Sequence, residues 1–306
     1  MGALAEYNKP WLSIDEQVGL LTKRGLADAS DFRHEIETIG YYRLSGYWYI
    51  FRRLGNTDRR EDQFFEDATM AHVVKLYGFD ERLRSAVWEA ASQIELALRT
   101  QMGYQLGKVD PFIHLDPTLL DPSVRPESYQ KLRTELVRAQ DRSHDDFVVH
   151  FRRKYDGRLP IWVVTEIMQF GQLVHLFDFA PYSNRVAIAS TVGARADEYH
   201  SWLKSINIVR NIAAHHGRLW NRSIGMKPML HGRKTDPLLM HAVNSANRVY
   251  GVTALIAYLL RHIGAHKPIA TLRSTLESLP DINGVRPQSM GMPEGWAYQD
   301  LWRVES

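Results

Sequence analysis

The sequence predicts an all-α protein, and three stretches carry that expectation. Leu83, Val87, Ala90, Ile94 and Ala97 recur at intervals of four and three residues, the stripe of an amphipathic helix. Trp202, Ile206, Val209 and Ala213 repeat the same spacing, with Trp220 in phase further on. Ser13-Ile14-Asp15-Glu16 is a capping box, in which a serine and the glutamate three residues later satisfy each other's end of a helix.

Taken in order, residues 1–12 read as a lead punctuated by Pro10. The capping box starts a helix that runs to about Arg24, where Gly25 stops it. A second helix follows Ser30, from about Asp31 to Thr38. Tyr41–Arg53 then interleaves six aromatic residues with Arg43, Arg52 and Arg53. Aromatics stack on unpaired bases and arginines take phosphates, so an RNA platform is conceivable. Aromatics at this density more often pack a helix against its neighbours, and a core is the favoured reading. Residues 54–67 are polar and read as a loop. Met70–Leu106 is helical, in two pieces broken near Gly78, and residues 107–126, with four prolines, form a loop. Tyr129–Phe151 is a charged helix and Pro160–Leu176 an apolar one, in which Glu166 is a candidate buried partner for an arginine. Ser223–Asp236 is a loop, and Leu238–Ile263 a helix whose Val252–Leu260 end is apolar all round and therefore buried. The tail from His266 ends in aromatics that dock on the body. The domain expectation is N-terminal helices and the aromatic block over 1–55, a helical core over 56–265 and the tail over 266–306.

Chemically capable side chains concentrate in Ser205–Arg222. Within Arg210-Asn211-Ile212-Ala213-Ala214-His215, Arg210, Asn211 and His215 fall on the arc opposite the apolar stripe, Arg210 and His215 about 140° apart at about 100° per residue. Asn207 joins the arc, as do Arg218 and Arg222 if the helix persists past Gly217; His216 falls near the apolar stripe. Cutting RNA by attack of its own 2′-OH needs a base, an acid and positive charge for the transition state. Histidine has the pKa for the first two tasks. Arginine is a permanently charged, bidentate phosphate clamp. Asparagine can orient either the imidazole or the phosphate. No cofactor or metal is required, because the substrate brings its nucleophile. The angular separation of Arg210 and His215 is best met by a second copy of the helix from a partner chain. Without context, Arg-Asn-x3-His is weak: polar helix faces are usually only solvated.

Other matches to known patterns fail. Gly103-Tyr-Gln-Leu-Gly107-Lys108 has the wrong spacing for a phosphate loop, and His144-Asp145 lacks the further ligands of a metal hydrolase. Arg99-x4-Tyr104 has the Arg-x4-His spacing with tyrosine in place of histidine.

The Arg210–His215 segment resembles the motif of the HEPN superfamily, Arg-x4-His with a polar residue after the arginine. More of the chain resembles one branch, the Abi (abortive infection) family of AbiD/AbiF-like bacterial proteins. The matching pieces are Lys9-Pro10-Trp11, Ile39-Gly-Tyr-Tyr-Arg-Leu-Ser-Gly-Tyr-Trp48, Glu95-Leu-Ala-Leu-Arg-Thr-Gln101 and Arg210–Trp220. The resemblance implies a HEPN-like helical bundle with additional N-terminal helices, paired protomers and metal-independent endoribonuclease activity in phage defence or a toxin–antitoxin system. Arg210, Asn211 and His215 are the implied catalytic set. Arg43, Arg52, Asn207, His216, Arg218 and Arg222 are candidate RNA contacts. AbiF-like relatives add the expectation of a small non-coding RNA antitoxin.

Composition sets limits. The 306 residues allow one large domain or two small ones, and 44% are hydrophobic, enough for a sizeable core. There is no cysteine, hence no disulfide framework and no thiolate metal site, which fits a reducing cytoplasm. No signal-peptide pattern opens the sequence, and Val252–Leu260 is too short to span a membrane. The net charge of +3 permits RNA binding without demanding it. Two alternatives to the nuclease stand: a HEPN-like protein that binds RNA without cutting it, and an interaction protein whose polar helix face meets another protein.

Overall fold

The structure is a computed structural model, described over residues 9–55, 59–230, 237–240, 242 and 245–303. Parts of five expected segments lie outside the described residues: 1–8 of the lead, 56–58 of the first loop, 231–236 of the loop before Pro237, 241 and 243–244 of the helix expected from Leu238, and 304–306 of the tail. The chain divides into two units, Met1–Arg82 with Ser278–Arg286, and Leu83–Glu277 with Pro287–Ser306.

Unit 1 begins with α1 (Ile14–Lys23), capped reciprocally by Ser13 and Glu16 and stopped at Gly25, whose φ of 113° suits glycine. A 3₁₀ turn, Ala29–Phe32, leads to α2 (Arg33–Ile39), and Gly40 at φ 95° turns the chain into α3 (Tyr41–Trp48). The aromatic block is mainly core: Tyr47, Trp48 and Phe51 are fully buried, while Tyr42 and Tyr49 are exposed. The Tyr47 hydroxyl donates 2.6 Å to the buried Asp80 carboxylate, so this aromatic brings a polar group whose bond is made inside the core. Asp28 accepts from the backbone N–H groups of Met70 (2.7 Å) and Ala71 (3.0 Å), capping α4 (Met70–Gly107) from a distance in sequence.

Two expectations fail in this stretch. The loop over 54–67 contains half of an antiparallel ribbon, β1 (Arg52–Leu54) against β2 (Arg60–Phe64). Its strands lack apolar alternation because side chains hold it: Arg60 donates to the carbonyls of Ile50 and Arg52, and Asp62 pairs with Arg24 (2.9 Å) and Arg52 (3.1 Å). Helix α4 is also continuous through Gly78. A glycine costs a helix interior about 1 kcal/mol, which the buried neighbours Leu76, Phe79 and Leu83 outweigh.

Unit 2 holds the rest of α4, then α5 (Pro126–Arg142), α6 (Asp146–Tyr155), α7 (Ile161–Ile167), α8 (Phe170–Phe179), α9 (Tyr182–Ser190), α10 (Ala196–Ala214), α11 (Val249–His262) and α12 (His266–Glu277). The fold is all-α apart from the small ribbon of unit 1. Helix α10 packs on α8, α9 and α11 with Trp202, Ile206, Val209 and Ala213 buried, the stripe the spacing predicts. Every residue from Val249 to Leu260 is buried. The aromatic end docks as expected: Leu301 and Trp302 are buried, and the Trp302 indole N–H donates 3.1 Å to the Tyr250 hydroxyl on α11.

Three helices expected to be continuous are interrupted. The 129–151 helix breaks at Ser143, where α5 ends and Ser143 and Asp145 form a local turn. The 160–176 helix breaks at Met168, and α8 restarts with Gln169 and Gln172 satisfying its first turn. Of the helix expected over Leu238–Ile263, Met240 and Ala242 are helical, 241 and 243–244 lie outside the described residues, and a turn at Ser245–Arg248 separates this start from the helix Val249–His262. This turn folds back so tightly that its Ser245 carbonyl occupies the space of any side chain at Gly251.

Among the described residues, no helix is long and apolar enough to cross a membrane.

Burial depresses His114 to about 4. His200 is also depressed to about 4, burial outweighing the Asp178 carboxylate 3.1 Å from its Nδ1. Both imidazoles are therefore neutral in the folded chain at pH 7, and an unfolded chain takes up their protons near pH 6.5. The folded-state stability they permit is complete above that value and falls as pH drops towards 4. The urea midpoint is expected to be lower at pH 5.0 than at pH 7.5, and His114→Leu to reduce the difference.

Candidate functional site

The polar arc of α10 forms because the opposite face is committed to the core. With Ile206, Val209 and Ala213 buried, Asn207, Arg210 and Asn211 are left half-buried on the side facing away. They form a ladder along the helix. The Arg210 guanidinium donates 3.2 Å to the Asn211 amide oxygen, and the Asn211 amide nitrogen donates 3.3 Å to that of Asn207. Asn207 in turn lies against Gly171, where a Cβ would meet the Asn207 amide at 3.3 Å.

The anchor of this ladder comes from α4. Glu95 takes Arg210 on one carboxylate oxygen at 3.5 Å and Arg99 on the other at 2.9 Å. Arg99 also donates to the buried carbonyls of Thr165 and Met168 (3.0 Å to the latter) at the C-terminal end of α7. This explains the break at Met168: a guanidinium satisfies carbonyls that a continuing helix would have used. The side chains of Arg99 and Glu95 are 11% and 14% exposed and that of Arg210 26%, so the cluster is shielded yet open on the Arg210 side. Two guanidiniums around one carboxylate carry a formal surplus of one positive charge, suited to an anion. The Arg210 Nε is enclosed and, among the described residues, has no hydrogen-bond partner.

The helix ends at Ala214, so the condition under which Arg218 and Arg222 would join the arc, a helix persisting past Gly217, is not met. His215 is the C-cap, with φ −94° and ψ 20°, and its N–H donates 3.0 Å to the Asn211 carbonyl. His216 follows at φ 54°. Its N–H reaches the Ala213 carbonyl at 3.1 Å and that of Gly217 reaches Ile212 at 2.7 Å, the two bonds of a Schellman turn. His215 and His216 are both exposed, so His216 does not share the apolar stripe. Because His215 has left the helical path, the 140° separation from Arg210 no longer fixes its direction. Arg218 and Arg222 lie beyond the turn, off the helical arc; Arg222 is exposed and donates 3.3 Å to the Arg218 carbonyl.

Arg43 and Arg52 belong to unit 1, whereas Asn207–Arg222 belongs to unit 2. Arg43 is exposed on α3. Arg52 is committed to Asp62 and lies 5.9 Å from the Tyr49 ring centroid, where it holds the ribbon. Glu166 is exposed, so it is not the buried partner of an arginine; Glu95 fills that place. The signal for Glu95 was present as the Glu95–Arg99 pair at i, i+4. Its link to Arg210, 115 residues on, had none. Among the described residues, no three His, Asp or Glu side chains converge as a metal ion would require.

A family model described as Abi-like protein matches residues 34–221. No curated protein matches the chain. No solved structure matches it.

Removing the Glu95 carboxylate leaves two shielded guanidiniums without their shared counter-charge. Glu95→Ala is expected to cost about 1–3 kcal/mol, the range for stranding a buried polar group, whereas Leu96→Ala at an exposed neighbouring position stays within about 0.5 kcal/mol. Denaturant midpoints of the two variants check the contrast.

Proposed function

The chain belongs to the Abi-like family, and we propose that it is an abortive-infection effector that cuts RNA without a metal ion. The observation that carries this reading is the end of α10: an exposed imidazole at the helix cap, five residues on from a guanidinium held half-open by Glu95. Each group has a task in 2′-OH attack. His215 takes the 2′-hydroxyl proton as the 2′-oxygen bonds to phosphorus. Arg210 faces the non-bridging oxygens, where charge accumulates as the phosphorane forms. The bond from phosphorus to the 5′-oxygen breaks, and that oxygen leaves with a proton from an acid. The products are a 2′,3′-cyclic phosphate and a 5′-hydroxyl.

One chain supplies one such imidazole, and the acid is the His215 of a second copy whose α10 faces the first across the scissile phosphate. A HEPN-like homodimer meets this need. Asn211 and Asn207 hold the arginine in place, because the ladder ties its head to the helix surface. His216, in the left-handed cap, sets the turn that releases His215 from the helix. Arg218 and Arg222 place positive charge just beyond that turn for the neighbouring RNA backbone. The family resemblance adds a small non-coding RNA as the silencing partner.

The engagement of Arg210 with Glu95 favours one competing reading. An arginine already paired with a carboxylate can serve as a fixed anion contact, holding RNA that is not cut. The two readings separate in a cleavage assay in EDTA. Wild-type protein is expected to produce 2′,3′-cyclic phosphate ends, and Arg210→Ala and His215→Ala to reduce the rate by at least about a hundredfold, the loss typical for a transition-state contact. Binding that survives in a wild type that yields no product supports the non-catalytic alternative.

A further inference from the structure

Beside the Glu95 cluster, unit 2 carries a cleft of about 480 Å³ between α4 and α7. That volume lies in the range of about 300–1,000 Å³ usual for sites that take a small ligand. Arg99 lies in its wall, so the cleft and the candidate catalytic arginine share one carboxylate: Arg99 and Arg210 are the two partners of Glu95.

Two large aromatic side chains line the cleft and remain open to solvent, Trp162 at 49% and Tyr104 at 62%. The placement of Trp162 has a sequence cause. Gly103 and Gly107 sit one turn apart on α4. A Cβ at Gly107 would lie 3.0 Å from the indole ring, and one at Gly103 as near to the Trp162 backbone. The glycines thus let the indole lie directly on the helix. An indole half-open at this position forgoes the burial that large aromatics usually reach.

Lys108 supplies charge at the same rim. Its ammonium lies 4.1 Å from the Tyr104 ring centroid and donates 3.1 Å to the Gln105 side chain, and among the described residues it makes no ion pair. Glu166 also lines the cleft and is exposed, an acceptor for N–H groups on a ligand's edge.

We infer that this cleft is a binding site for one unpaired nucleotide of single-stranded RNA. The base stacks against Trp162 and Tyr104 while its backbone phosphate meets Lys108. Flat aromatic surfaces next to a cation whose charge is not neutralised by a carboxylate are the combination that single strands use, because every base has a stacking face and every link a charge. The inference rests on the proposed nuclease reading for its biological sense: the cleft holds the strand close to the phosphate to be cut. The α4–α7 junction would then act in both, since Arg99 builds the cleft wall and steadies Glu95.

The test uses a fluorescein-labelled oligouridylate with 2′-O-methyl riboses, which lacks the attacking hydroxyl and survives whether or not the protein cuts RNA. Anisotropy reads its binding to the full chain. Trp162→Ala is expected to weaken binding about tenfold, within the range for loss of one stacked base. Trp162→Phe keeps a ring and stays within about threefold of wild type. Lys108→Ala, at an exposed position that does not threaten the fold, weakens binding and lowers the salt slope by about one. If wild type binds the probe and both alanine variants bind equally well, the cleft is not the site, and the nuclease reading is untouched. If binding depends on Trp162 and Lys108 but the wild type never cuts an unmodified RNA, the cleft stands and the nuclease reading falls. A wild type with no affinity for the probe overturns the cleft proposal outright.

Discussion

The carboxylate of Glu95 ties three helices together. It sits on α4, pairs with Arg99 on the same helix and draws in Arg210 from α10, while Arg99 reaches on to the carbonyls that end α7. Each group is mostly shielded from water, where an unmatched charge is expensive and a matched pair is directional. The arrangement therefore fixes more than an ion pair. It decides where α7 stops, how α4 meets α10 and which way the Arg210 head faces.

The chemistry of the candidate site follows from two constraints meeting at one helix end. Core packing fixes the face of α10 through Trp202, Ile206, Val209 and Ala213. The Schellman turn at His216–Gly217 then ends the helix within a residue of the last functional side chain. An arginine in the helix is held stiffly by its neighbours; a histidine at the cap is exposed and free of the helical register. For a reaction that needs a fixed cation and a proton-transferring group able to meet its substrate, that division of rigidity is useful.

Much of this was legible in advance. The stripe of α10, the capping box of α1, the stop at Gly25 and the burial of Val252–Leu260 all follow from local periodicity and cap chemistry, and the structure keeps them. Errors came where a local pattern was overruled from afar. Gly78 looked like a break, but neighbouring apolar residues carry α4 through it. Residues 60–64 looked like loop because their partners are ion pairs and carbonyls, not an alternating apolar face. The run 160–176 looked like one helix because nothing within it announces that Arg99 will take its carbonyls.

The sequence by itself determined the buried stripe of α10 and the burial of Val252–Leu260, and it singled out Arg210, Asn211 and His215 as a group, since spacing along one chain is enough to place side chains on a common face. Only the tertiary structure decided that Glu95 is the partner of Arg210, that His215 caps the helix instead of continuing it, and that Trp162 rests on Gly103 and Gly107 beside an open cleft. Periodicity reports a side chain's direction relative to its own helix. Its partner across the fold depends on how several helices pack, and no single stretch of sequence holds that information.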